Sequence, residues 1–103
     1  MDLKEIQKEV HEWISQYGGY WPPLSMMARF TEETGELARE INHAFGTKKR
    51  KPEEQIKSIQ GEIGDILITL ACLSNSLNID LNEAYKETMD KVNKRDKDRT
   101  KKD

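Results

Sequence analysis

Glu33 and Glu36 stand three residues apart in Glu32-Glu33-Thr34-Gly35-Glu36-Leu37, and Glu62 and Asp65 repeat that spacing in Glu62-Ile63-Gly64-Asp65-Ile66. On a helix, at ~100° per residue, positions three apart lie about 60° from each other, so both carboxylates of a pair face the same way. Four carboxylates brought together repel one another and lose hydration, a state relieved by taking up protons or by binding cations. An all-carboxylate donor set suits Mg²⁺ or Mn²⁺. Magnesium held this way keeps positions for water and phosphate oxygens, so the chemistry indicated is attack of an activated water on a phosphoryl group. Nineteen acids in 103 residues will also fall three apart by chance, and either pair alone reads as solvated acids on a charged helix face.

The elements that must position these acids are helices. Leu3, Ile6, Val10, Trp13, Ile14 and Tyr17 recur at three- and four-residue intervals until Gly18-Gly19. After Tyr20-Trp21-Pro22-Pro23, the residues Met26, Met27, Phe30, Leu37, Ile41, Ala44 and Phe45 keep the helical period up to a stop at Gly46. Pro52 with Glu53 and Glu54 suits the first turn of a third helix, which carries Ile56, Ile59, Ile63, Ile66, Leu67, Leu70, Leu73 and Leu77. Asp80 and Glu83 have capping-box spacing at the start of a fourth, with Leu81, Ala84, Tyr85, Met89 and Val92. Nothing alternates with hairpin chemistry, so the expectation is an all-α four-helix unit with the second and third helices antiparallel.

Set on these helices, both acidic pairs border the apolar stripes. Met26, Phe30, Leu37, Ile41 and Ala44 fall within roughly 80° to one side of Glu33, and Ile59, Ile66, Leu70, Leu73 and Leu77 do the same for Glu62. Packing the two stripes together would bring the pairs face to face, which favours the metal reading over solvated acids. Gly35 and Gly64, each costing about 1 kcal/mol in a helix interior relative to alanine, fit a close helix approach beside the acids. Glu32 points further outward, and it and Glu40 also suit a merely solvated place.

Composition narrows the setting. The chain is 35% hydrophobic and 35% charged, enough for one domain of modest core that gains from association of copies. A net charge of −2 excludes a general nucleic-acid binder, which carries a basic excess. The single cysteine, Cys72, allows no internal disulfide, reads as a small core residue, and suits a reducing cytoplasm. Met1-Asp2-Leu3-Lys4-Glu5 lacks the apolar run of a signal peptide, and no stretch approaches the ~18 apolar residues of a membrane span. The expected division is a domain over residues 1–97 and a charged, disordered tail over 98–103. His11 and Trp13 are expected to be packed or exposed, without a catalytic role.

The combined pattern, Glu33-x-x-Glu36, 25 intervening residues, then Glu62-x-x-Asp65, with Glu32 completing Glu-Glu-x-x-Glu, resembles the MazG-like nucleotide pyrophosphohydrolases. The resemblance covers most of the chain and implies a helical fold completed by homo-oligomerisation, as a homodimer or homotetramer. It implies Mg²⁺-dependent cleavage of a nucleoside triphosphate between the α and β phosphates, giving the monophosphate and pyrophosphate. Glu33, Glu36, Glu62 and Asp65 would then be the catalytic metal ligands, one of them also activating water. Lys91, Asn93 and Arg95 fall where relatives hold phosphates, and a charged helix end is the competing reading. Tyr20 and Trp21 fall where relatives line a base pocket, and covering the core is the competing role. The Lys48-Lys49-Arg50-Lys51 run reads as a solvated loop. Thr69 departs from a tyrosine that deoxycytidine-type relatives carry, which leaves base identity open. A non-catalytic helical interaction module, or a phosphohydrolase acting on another pyrophosphate-bearing metabolite, are the alternative functions.

Overall fold

The computed structural model describes residues 1–46 and 52–101; the Lys48–Lys51 basic run, Lys102 and Asp103 lie outside them. Among the described residues all regular structure is helical: α1 (Leu3–Ser15), α2 (Pro23–Phe45), α3 (Pro52–Ser76) and α4 (Leu81–Lys101). No helix among them is long and apolar enough to cross a membrane.

Local chemistry explains the ends. The Asp2 carboxylate accepts the Glu5 N–H at 2.8 Å, which caps α1 and holds the Asp2 carboxyl below its ordinary range. Gly18 and Gly19 take φ of 99° and 85°, where a side chain is strained, and the Gly19 N–H closes on the Ile14 carbonyl at 3.0 Å. This exit begins earlier than the apolar period indicates. Tyr17, expected on the buried face, is an exposed turn residue. Pro23 is the first residue of α2, where its missing N–H costs nothing. At the far end a Cβ on Gly46 would collide with the Asn42 carbonyl oxygen, so only glycine fits. Asn78, at φ 56°, ends α3, and the Ile79 N–H reaches the Ser74 carbonyl at 2.9 Å. Asp80 caps α4 through the Asn82 N–H at 2.8 Å, one residue earlier than a capping box requires. The first free donor of that helix, the Leu81 N–H, is taken instead by Gln7 Oε1. The helix continues to Lys101, so residues 98–101 of the expected disordered tail are helical. Acid–base spacings such as Glu87 to Lys91 and Asp90 to Lys94 favour that continuation.

The most extensive packing is between α2 and α3; α1 packs on α3, and α4 meets chiefly α1. Met26 shares a cluster with Ala71 and Cys72, whereas Glu33, two turns on, faces Glu62 and Asp65. The order reverses along α3, so α2 and α3 run antiparallel as expected. The core is small: Val10, Met26, Ala71 and Cys72, with Ile6, Tyr20 and Leu73 packed against it. Several residues of the apolar stripes stay outside it, Phe45 at 75% and Ile63 at 52% exposure among them. The close helix approach expected at Gly35 and Gly64 is not made either, since a Cβ at each would meet nothing within 4 Å. Both glycines lie off the α2–α3 contact line, where a side chain has room.

Candidate active site

The antiparallel pairing of α2 and α3 gathers the acids. One carboxylate oxygen each of Glu33, Glu62 and Asp65 lies within 4.8 Å of the other two. Glu36 lies near enough to Glu62 for its charge to raise that carboxyl. The four acids singled out by spacing therefore meet in one place. Glu33 is buried, Glu62 half-buried and Asp65 exposed, so the group grades from core to solvent.

The electrostatics are those of an under-neutralised anionic site. Burial pushes the Glu62 carboxyl above its ordinary pKa, and the charges of Glu36, Glu33 and Asp65 push it further. Among the described residues, the ion pair into the trio is from Arg29, whose Nη2 lies 2.8 Å from Glu33 Oε1. Glu33 Oε2 and Glu62 Oε2 are both buried without a hydrogen-bond partner among the described residues. Native structures leave few buried oxygens unpaired, and two on adjacent acidic side chains are the donor arrangement a hard divalent cation would satisfy. The residues fit such an ion, which Glu33, Glu62 and Asp65 could hold.

Beside the acids a cleft of about 470 Å³ opens between α1, α2 and α3. Glu33, Arg29 and Asp65 form its polar wall, Trp13, Tyr20 and Trp21 its aromatic one, and Met26 and Cys72 contribute apolar surface. Tyr20 and Trp21 thus lie at the acids, brought there by the Gly18–Pro22 turn. Trp21 is exposed and Tyr20 half-buried, packed on the core cluster, so the core-covering role falls to Tyr20. Burial raises the pKa of the Tyr20 hydroxyl, which lies 2.6 Å from His11 Nδ1. The Thr69 hydroxyl donates to the Asp65 carbonyl at 2.9 Å, one turn back, and also lines the cleft. Cys72 is buried and burial pushes its thiol up, which disfavours the thiolate, and it packs in the core cluster as expected.

Lys91, Asn93 and Arg95 are not brought to this place. All three are exposed on α4, none lines the cleft, and Arg95 Nε lies 3.8 Å from Asp96 Oδ1. Sequence reasoning missed Arg29, although a base one turn before an acid is a visible signal. It also gave Trp13 no part in the cleft, because the placement of α1 on α3 is set by contacts far apart in the chain.

A family model described as the MazG nucleotide pyrophosphohydrolase domain matches residues 22–100. The chain is 56% identical over 98 residues to the uncharacterised protein YpjD of Bacillus subtilis strain 168, spanning 94% of this chain and 88% of that one. The crystal structure of YpjD from Bacillus subtilis superposes with a TM-score of 0.82 at 53% identity, over 90% of this chain and 96% of that one. A Bacillus-conserved MazG protein, described as a nucleotide pyrophosphohydrolase, superposes with a TM-score of 0.80 at 49% identity, over 95% and 96%. The family match contains all four acids, while Trp13, Tyr20 and Trp21 precede it.

Proposed function

The chain belongs to the MazG nucleotide pyrophosphohydrolase family and is an enzyme of that class, and from this premise we propose that it cleaves nucleoside triphosphates, ribo- or deoxyribo-, between the α and β phosphates in a Mg²⁺-dependent reaction. The observation that carries the reading is the convergence of Glu33, Glu62 and Asp65, with two buried unpartnered oxygens, beside a cleft that Glu33 and Asp65 line and whose other wall is aromatic.

Bound Mg²⁺, or Mn²⁺ in its place, supplies charge neutralisation of the phosphates and a lowered pKa for water. Glu33, Glu62 and Asp65 would hold the ion. Glu36, near Glu62 and outside the trio, accepts the proton of the attacking water. The water oxygen bonds to the α phosphorus as the bond from that phosphorus to the bridging oxygen breaks, and pyrophosphate leaves. Trp21, on the exposed side of the cleft, stacks on the base, while Tyr20 fixes the turn that carries it. Closing this wall on the nucleotide excludes bulk water and strengthens each charge contact within.

The working form is proposed to be a homodimer or homotetramer in the cytoplasm, clearing surplus or non-standard nucleotides. A radius of gyration of 17.3 Å exceeds the ~13 Å of a compact chain this long, and exposed Leu24, Phe45 and Ile63 are surface a second copy would cover. In such an assembly Lys91, Asn93 and Arg95 would contact phosphates from a neighbouring copy. Sedimentation equilibrium of the full chain tests the assembly.

Pyrophosphate release from a panel of ribo- and deoxyribonucleoside triphosphates, with and without Mg²⁺, tests the reaction. Magnesium-dependent release, absent from Glu36→Ala and Asp65→Ala, is expected. No release from any triphosphate by folded, magnesium-replete protein would move the reading to another pyrophosphate-bearing metabolite.

A further inference from the structure

We propose that Arg29 is the phosphate-contacting residue this chain supplies to its own cleft, neutralising Glu33 while the cleft is empty and turning its guanidinium to the polyphosphate when nucleotide binds. The assignment rests on the nucleotide reading above. Among the described residues lining the cleft, Arg29 is the only lysine or arginine, although the substrate class is polyanionic. Lys91 and Arg95 lie elsewhere on the same chain.

The geometry separates Arg29 from an ordinary surface ion pair. Its Nη2 is 2.8 Å from an oxygen of a carboxylate that is 4% exposed, whereas Nη1 lies 4.0 Å from Glu32 Oε2, beyond hydrogen-bond reach. The side chain itself is 53% exposed, so it is anchored at one nitrogen and accessible on the rest. A guanidinium carries five N–H donors in a planar fork that matches phosphate oxygens two at a time. A cation bound to Glu33 repels Arg29 and competes with it for the same carboxylate. That repulsion moves the guanidinium off Glu33 when the acids are charged with metal, and the nucleotide beside them then competes for it with the solvent-exposed carboxylate of Glu32. Arg29 would in this way couple filling of the acidic trio to capture of the phosphates.

The experiment compares wild-type full-length protein with Arg29→Gln and Arg29→Lys by two titrations. Calorimetry with Mg²⁺ and each of four α,β-methylene deoxynucleoside triphosphates, which resist cleavage at the reacting bond, reads nucleotide affinity. Electron paramagnetic resonance with Mn²⁺ and no nucleotide reads the acidic trio alone. Arg29→Gln is expected to weaken nucleotide binding about 10- to 100-fold, the range for losing a charge-assisted contact. Its Mn²⁺ affinity is expected to hold or tighten, because a competing cation has gone, and Arg29→Lys, which keeps the charge without the fork, recovers part of the nucleotide affinity. Unchanged nucleotide affinity in Arg29→Gln overturns the assignment while leaving the nucleotide reading intact. So does a parallel loss of Mn²⁺ and nucleotide affinity, which would make Arg29 only a support for Glu33. Failure of the wild-type chain to bind any of the four analogues overturns the nucleotide reading and the assignment with it.

Discussion

His11 Nδ1 lies 2.6 Å from the Tyr20 hydroxyl oxygen, with the two rings stacked at a centroid separation of 5.7 Å. Burial raises the Tyr20 hydroxyl's pKa, and the hydroxyl shares a hydrogen bond with His11 Nδ1 whose direction follows the histidine tautomer. The pair ties the turn after α1 back onto that helix and fixes where Trp21 enters the cleft. Tyr20→Phe keeps the ring and removes the hydroxyl's hydrogen bonds, this one and one with Asn75, each worth ~0.5–1.5 kcal/mol net. We expect KM for the nucleotide to rise about 2- to 10-fold with kcat little changed and Mn²⁺ affinity unaltered. Steady-state kinetics beside a metal titration check this; a fall in kcat alone would point to a role in the chemistry instead.

Glu36 and Asp65 are both exposed, and Asp65 is one of the converging trio, so truncating either leaves the core intact while removing charge from the site. Glu36→Ala and Asp65→Ala are each expected to lower kcat/KM by at least ~10³-fold, more than loss of a peripheral contact would. Thermal melting temperatures should stay near that of wild type. A variant that melts normally and turns over normally would remove that acid from the proposed machinery.

Glu62 provides a pH test with a defined sign. Its folded pKa is raised, first by burial and then by Glu36 and Glu33. A raised acid contributes stability that is fully present below its unfolded pKa, near 4.3, and is lost as pH rises through the folded value. At pH 7, without metal, Glu62 therefore weakens the fold. Glu62→Gln is expected to raise the melting temperature at pH 7 in chelator, the advantage shrinking toward pH 4. The same variant should lose the stabilisation that Mg²⁺ confers on wild type, about 2.7 kcal/mol at a hundredfold excess over Kd. Melting curves across pH, with and without Mg²⁺, read both effects. Equal melting of the two proteins at pH 7 in chelator would remove the electrostatic strain argued for this carboxylate.

The acidic pairs and the helix ends were legible in the sequence because their signals are local. Three-residue spacing fixes the direction of two carboxylates on one helix, and Gly18-Gly19 and Pro52 act on the backbone where they stand. Periodicity shows only that a face is apolar, and not what covers it. Phe45 and Ile63 belong to the apolar residues of α2 and α3, yet both stay exposed among the described residues. Glu33 shows the opposite case, an acid on the edge of the stripe that the structure buries with Arg29 as its counter-charge. Trp13 and Gln7 were unreadable because the partners that give them roles, Asp65 and Thr69 across the cleft and Asn75 in the core, come from α3.

Gln7 is the buried residue whose chemistry is most constrained. Its Nε2 donates to Asn75 Oδ1 at 2.9 Å and to the Ile79 carbonyl at 2.8 Å, and its Oε1 accepts the Leu81 N–H at 2.9 Å. One side chain thus joins α1 to the end of α3 and the start of α4. Gln7→Ala leaves the Leu81 donor and the Ile79 acceptor without this partner and is expected to cost about 2–4 kcal/mol. Gln7→Glu is the sharper test, because it keeps the shape and the acceptor for Leu81 while facing the Ile79 carbonyl and Asn75 Oδ1 with an anion. At pH 7 it should destabilise at least as much as alanine, and the loss should shrink at low pH as the carboxyl regains a proton it can donate. Urea unfolding midpoints of the three proteins at pH 7 and pH 5 measure this. A Gln7→Glu protein as stable as wild type at pH 7 would mean that the Nε2 donors do not hold the junction of the three helices.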